Sequence, residues 1–250
     1  MKPLNVLEPL THPFFYQDFK SALDRLEHDL VNGPCYALLI GESGTGKTTL
    51  LRTLLTRLDP RKYNIIYLCH GRPSPSALAR VMAHKFHFPL RYTRAETSQL
   101  LMQSLRNLPT KPFLWIDEAQ MMPDDTLHEI RLLSEADLEG PPLFSVLLCG
   151  LPPLKDKLLN PDLFALWRRI NPKLYLTGIL HQEIDTYIHH RFGKQNASRL
   201  ENESLLHIFE QARGIPALLD LIVSECIKSV KSGPISKKTV CDIIDQLELS

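Results

Sequence analysis

"YALLIGESGTGKTTLLRTLLTRL", residues 36–58, passes from a short apolar run through a glycine-rich loop into a helical pattern, and Gly41–Thr48 matches G-x-x-x-x-G-K-[ST] in full. Gly41, Gly44 and Gly46 let a loop curl so that backbone N–H groups converge on phosphate oxygens, and the N-terminus of the following helix adds its positive dipole end. Glu42, Ser43, Thr45 and Thr49 complete the nucleotide-holding stretch. In this pattern Lys47 reaches the β- and γ-phosphates and Thr48 offers its hydroxyl to Mg²⁺. The bland alternative is a flexible Gly-Ser turn, against which stand the apolar strand before the motif and the helix after it. ATP with Mg²⁺ is the cofactor this stretch predicts.

A second stretch supplies what a phosphate site lacks. "FLWIDEAQ", residues 113–120, ends an apolar run in two adjacent carboxylates with no cationic neighbour. At the C-terminal tip of a strand both can reach the crevice where open α/β sheets hold ligands. Asp117 then serves the Mg²⁺ shell and Glu118 orients and polarises the attacking water. Alone, Asp117 reads equally as a helix cap.

Around these two stretches, "CYALLI", "NIIYLC", "PFLWI", "LFSVLLC" and "KLYL" alternate with helical spacings between residues 35 and 176. That alternation predicts an α/β fold with a parallel five-stranded sheet sandwiched by helices. After Gly178 the strand-like runs stop and four amphipathic helical patterns follow, with Ser236 a plausible N-cap of the last. The expected division is an α/β domain over 1–178, including a helix over 15–31, and a small helical domain over 179–250.

Composition narrows the setting. A chain of 250 residues with net charge +1 carries no global field for nucleic acid, so polyanion binding must come from a local patch. Cys35, Cys69, Cys149, Cys226 and Cys241 lie far apart without metal-ligand spacing and read as buried thiols in a reducing cytosol. No stretch is long and apolar enough to suggest export or a membrane anchor, so a cytoplasmic protein is expected.

The order of motifs resembles AAA+ ATPases of the ExeA/general-secretion-A type, a group similar to the transposition helpers TniB, TnsC and MuB. "HPFFYQDFKSALDRLEHDL" resembles their N-terminal segment, "IGESGTGKTTLLRTLL" the phosphate loop and "LWIDEAQ" the Walker B strand. "IRLLS", "LLCGLPPL" and "RGIPALLDLI" resemble the next helix, the sensor strand and the lid. The resemblance implies an AAA+ P-loop fold with a C-terminal helical lid, ATP hydrolysis at subunit interfaces, and a homo-oligomeric ring or filament. It also implies an arginine finger, for which "FALWRRI" offers Arg168 and Arg169, Arg169 matching the position better; a surface arginine pair is the alternative. Two departures stand out. The lid reads Gly214, Ile215, Pro216, Ala217 where relatives carry a sensor Arg at the last position, with Arg213 a substitute or a helix-dipole partner. Leu151 occupies the polar sensor position after the fourth strand. Both departures predict slow turnover.

In transposition helpers the DNA-facing surface follows the second strand. Here that segment is "HGRPSPSALARVMAHKFHFPLRYTR", with His70, Arg72, Arg80, Lys85, Arg91 and Arg94. Phosphate contacts from Arg72, Arg80 and Lys85 would bind double-stranded DNA without reading sequence, or these cations merely solvate an amphipathic helix whose Leu78, Val81, Met82 and Phe86 face the core. The function implied is an ATP-dependent switch that binds target DNA and recruits a transposase or target-selector protein. A secretion-type envelope-assembly ATPase and a nucleotide-binding scaffold are the alternatives. Relatives of the secretion kind are expected to carry a membrane segment and a further domain after the ATPase; with the sequence stopping at Ser250, neither is expected here, an expectation that favours the first reading.

Overall fold

The computed structural model describes residues 13–69, 72–135 and 142–249, apart from the Arg94 side chain. His70, in the candidate DNA segment, lies outside them.

The strands are β1 (Tyr36–Gly41), β2 (Tyr63–Leu68), β3 (Lys111–Ile116), β4 (Ser145–Gly150) and β5 (Lys173–Leu176). They form one parallel five-stranded sheet in the order β2-β3-β4-β1-β5, with Ile116 level with Leu148 and Leu148 level with Leu38. The three central strands are buried along nearly their whole length, whereas β2 is buried only in part. Burial on both faces is why the central runs read as unbroken apolar stretches instead of alternating ones.

The helices are α1 (Gln17–Asn32), α2 (Lys47–Arg57), α3 (Pro75–Lys85), α4 (Arg94–Leu105), α5 (Asp124–Ser134), α6 (Pro153–Leu159), α7 (Phe164–Arg169), α8 (Ile184–Ala197), α9 (Asn202–Ala212), α10 (Pro216–Ser229) and α11 (Lys237–Gln246). α8 is interrupted at Gly193, which takes φ 77° and ψ 160°.

The described chain forms two compact units: Leu23–Gly41 with Leu51–Tyr175, and Met1–Ala22 with Glu42–Leu50 and Leu176–Ser250. In the first, one sheet face, carrying Leu38, Ile40, Leu114, Ile116, Val146 and Leu148, packs with apolar residues of α3 to α7. Residues of opposite parity, among them Leu39, Phe113, Trp115 and Leu147, are equally buried. Each such side chain removed from water contributes about 1.5–3 kcal/mol. In α3, Leu78, Ala79, Met82 and Ala83 are buried, Phe86 caps the helix and Val81 is half-buried against the core, so the expected stripe is present. In the second unit, α9, α10 and α11 pack on one another. The Ser204 hydroxyl donates to the Ile235 carbonyl at 2.8 Å, and Arg191 grips Asp220 through Nε at 3.0 Å. Ser236 caps α11, its hydroxyl accepting from Thr239 N at 3.4 Å.

The cysteines differ from expectation. Cys149 and Cys226 are buried, Cys35 and Cys241 half-buried, and Cys69 is exposed. Cys69 falls one residue beyond the end of β2, where the sheet no longer covers it. Among the described residues no helix is long and apolar enough to cross a membrane.

Candidate active site

The phosphate loop leaves the C-terminal end of β1 at Gly41 and enters α2 at Lys47. Gly44 and Gly46 take φ values of +83° and +96°. At Gly44 two demands coincide: the left-handed backbone, and a close approach in which an added Cβ would sit 2.6 Å from the Ala217 Cβ. Ala217 N also donates to Gly44 O at 3.3 Å, so the start of α10 rests on the loop. Ala217, at the position where relatives are expected to carry a sensor Arg, is a small side chain packed against the loop glycine. Arg213 is exposed in a left-handed C-cap with φ 51°.

Lys47 is only 8% exposed, and its ammonium donates to the Glu42 carbonyl at 2.9 Å. The Thr45 hydroxyl donates to the same carbonyl at 2.8 Å. Tyr16, immediately before α1, donates its hydroxyl to the Thr45 carbonyl at 2.7 Å, and Phe19 lies under Gly46. Burial, with the Asp18 and Glu183 charges adding, pushes the Tyr16 phenol well above its ordinary range, so it remains a donor. Tyr16 was not among the residues singled out from sequence, although it stands in the N-terminal segment. Thr48 is exposed at the first turn of α2 and Thr49 half-buried.

In the sheet unit, β3 ends at Ile116 and delivers Asp117 and Glu118 to the C-terminal edge. Asp117 accepts from the Tyr67 hydroxyl at 3.1 Å and from Glu118 N at 3.0 Å, both neutral donors. Burial and the Asp117 anion raise the Tyr67 phenol far above its usual pKa. Glu118 adopts the left-handed backbone, φ 51° and ψ 40°, at the start of a 3-10 turn over Ala119–Met121. Gln120 in that turn donates to Glu118 Oε2 at 2.5 Å and accepts from Leu151 N at 3.2 Å. Gln120 ends the quoted acidic stretch without a pattern that marks it for a role; only the fold sets it beside Leu151.

Each candidate ligand taken by itself suits Mg²⁺. The Thr48 hydroxyl and the Asp117 carboxylate, which among the described residues is partnered by neutral donors, are hard oxygen ligands, and Mg²⁺ takes few of these from protein and the rest from phosphate and water. Among the described residues no cluster of three or more His, Cys, Asp or Glu could hold a metal by itself. The arginines differ from each other. Arg169 pairs through Nε with Glu135 at 3.3 Å, where Arg131 also binds at 3.0 Å, whereas Arg168 is exposed and pairs with no carboxylate among the described residues.

Known proteins resemble the chain in sequence and in fold. The AAA domain family matches residues 33–158. The general secretion pathway protein A of Aeromonas hydrophila is 31% identical over 217 residues, 82% of this chain and 39% of that protein. The chain thus spans well under half the length of that relative. Among solved structures, the Aeropyrum pernix ORC1 protein in complex with DNA superposes with a TM-score of 0.61 at 18% identity, over 98% of this chain and 68% of the other. Cdc6p from Pyrobaculum aerophilum gives 0.64 at 20% identity, over 96% and 70%. Such distant likeness speaks for the fold. With a family model matched over half of its length and a relative 31% identical, the chain belongs to the AAA family as an AAA+ ATPase of the ExeA-like group.

Proposed function

We propose that this ATPase is a DNA-binding switch that assembles as a ring or filament on duplex DNA and regulates transposition by recruiting a transposase or target-selector protein. The backbone of Gly41–Thr49 and Lys47 hold the phosphates, and Thr48 and Asp117 hold Mg²⁺. Bound Mg²⁺ neutralises phosphate charge. Glu118 orients the attacking water and takes up its proton, and Arg169, aided by Arg168, serves the neighbouring subunit's nucleotide. The ATPase domain is taken as 1–178 and the lid as 179–250.

One observation carries the DNA reading. Arg72, Arg80, Lys85 and Arg91 are all exposed, and among the described residues none pairs with a carboxylate. Tyr92 stands fully in solvent beside Arg91, and Leu90 is half exposed. Cations left unneutralised on one segment suit a polyanion. The experiment is duplex binding with and without ATP over a range of salt. The expected result is ATP-dependent binding with little sequence preference, and Arg72→Ala with Lys85→Ala should flatten the log–log salt slope by about 2, roughly 0.9 for each phosphate no longer neutralised.

A second reading, an ATPase of envelope assembly, is supported by the 31% identity to the general secretion pathway protein A. ATP-loaded protein that binds no duplex at low ionic strength would favour it.

A further inference from the structure

We propose that Gln120 is a positioning residue for hydrolysis, its side-chain amide fixing the Glu118 carboxylate against the main chain at the tip of β4. The inference rests on the reading of Glu118 as the group that orients water.

Gln120 uses both ends of its amide. The NH₂ donates to Glu118 Oε2 at 2.5 Å while the carbonyl oxygen accepts from Leu151 N at 3.2 Å, one residue beyond β4. The amide donates from one atom and accepts at another, which suits this pair of partners; a carboxylate would repel Glu118 and a hydrocarbon would satisfy neither group. Among the described residues Glu118 Oε1 has no hydrogen-bond partner, so one oxygen is tied and the other is left for water.

Everything around the amide holds it in place. The backbone of Glu118 is left-handed, a conformation that persists in a non-glycine residue where neighbours over-determine it. Met121 N closes the turn onto Glu118 O at 2.8 Å, and Ala119 is fully buried. From α6, Lys157 donates to the backbone carbonyls of Gln120, at 3.2 Å, and Met122, and it pairs with Asp124 at 2.9 Å, which fixes the turn that carries the amide. Gly150 completes the arrangement: a Cβ there would collide with Gln120 Oε1 and stand 3.0 Å from Leu154 Cδ2. The strand end is thus bare where the amide passes.

This arrangement also gives the Leu151 position a part its side chain cannot play. With no polar group at that side chain, the Leu151 N–H reaches Glu118 through Gln120, so the loop after β4 and the water-orienting carboxylate are tied by two hydrogen bonds.

The test measures hydrolysis, nucleotide-analogue affinity and thermal stability for Gln120→Met, Gly150→Ala, their combination and Glu118→Gln, in the full chain. Gln120→Met keeps the length and apolar bulk of the side chain without its hydrogen bonds. It should leave analogue affinity and KM within about twofold and lower kcat by about ten- to a hundredfold, as expected for a misplaced catalytic group. Gly150→Ala should act in the same direction, and the combination should lose no more than Gln120→Met alone, because both act on the same amide. A merely structural amide would lower stability and leave kcat of the folded fraction unchanged. Gln120→Met turning over at or above the wild-type rate while Glu118→Gln is inactive would overturn the proposal, as would fully additive losses. Glu118→Gln at the wild-type rate would instead remove Glu118 from the mechanism, a failure separable from that of Gln120.

Discussion

In the proposed mechanism, Lys47 and Glu118 divide the labour of hydrolysis by charge. A nearly buried ammonium turned onto its own loop has shed much of its hydration already, so a phosphate at the loop meets a poorly solvated cation. Lys47→Ala should therefore weaken nucleotide binding at least about tenfold, read by equilibrium titration with a fluorescent analogue. Glu118→Gln should keep that affinity within about twofold and lose about a hundredfold or more in kcat, since an amide orients water without taking its proton. The thiols permit a second residue-level expectation. Burial, with Asp29 adding, pushes the Cys35 thiol up to about 11, and burial with Glu225 does the same for Cys226. Exposed Cys69 should be the first thiol labelled in native protein at pH 8, followed by mass spectrometry. Unfolded thiols ionise near 9.0, earlier than these folded ones. Their contribution to stability is thus complete below about pH 9 and is lost as pH rises toward about 11, visible as a falling urea midpoint.

Helix ends decide more than helix middles. Ser236→Ala removes the acceptor for Thr239 N and should destabilise the α9–α11 bundle by about 1 kcal/mol in chemical denaturation. At the end of α7 the arginine pair separates by partner. Arg169 shares the largely buried Glu135 with Arg131, so Arg169→Ala should lower stability by up to about 1 kcal/mol, whereas Arg168→Ala should leave it unchanged. If Arg169 serves a neighbouring nucleotide it must exchange Glu135 for phosphate, and Arg131 stays behind to keep that carboxylate paired. Gly44 is the corresponding constraint in the loop. Its left-handed backbone and the adjoining Ala217 leave no room for a side chain, which makes the lid's own Ala217 part of the loop's packing.

For the molecule as a whole, the proposed arginine role makes hydrolysis a property of the assembly. ATP or a slowly hydrolysed analogue should convert the protein to oligomers in light scattering. Arg168→Ala combined with Arg169→Ala should bind nucleotide normally and hydrolyse it poorly, because the stabilising charge arrives in trans. Adding Lys47→Ala subunits, whose arginines are intact, should restore part of that hydrolysis. Co-assembled oligomers without any rescue would give the arginines a local structural role.

How much of this was legible beforehand follows the range of the interactions. The five strands, the loop motif, the acidic pair and the Ser236 cap are set by residues within a few positions of one another, through periodicity, glycine spacing and capping chemistry, and the sequence by itself determined them. What joins distant positions was not readable: Tyr16 on Thr45, Ala217 on Gly44, Tyr67 on Asp117, Gln120 between Glu118 and Leu151, and Glu135 between two arginines. The exposure of Cys69 depends likewise on where the sheet stops covering β2. Side-chain hydrogen bonds and close packing act over a few ångströms, and no local pattern records which remote residue will arrive within that distance. The sequence therefore specified the chemistry carried by each segment, and the tertiary structure alone decided which segments hold one another in place.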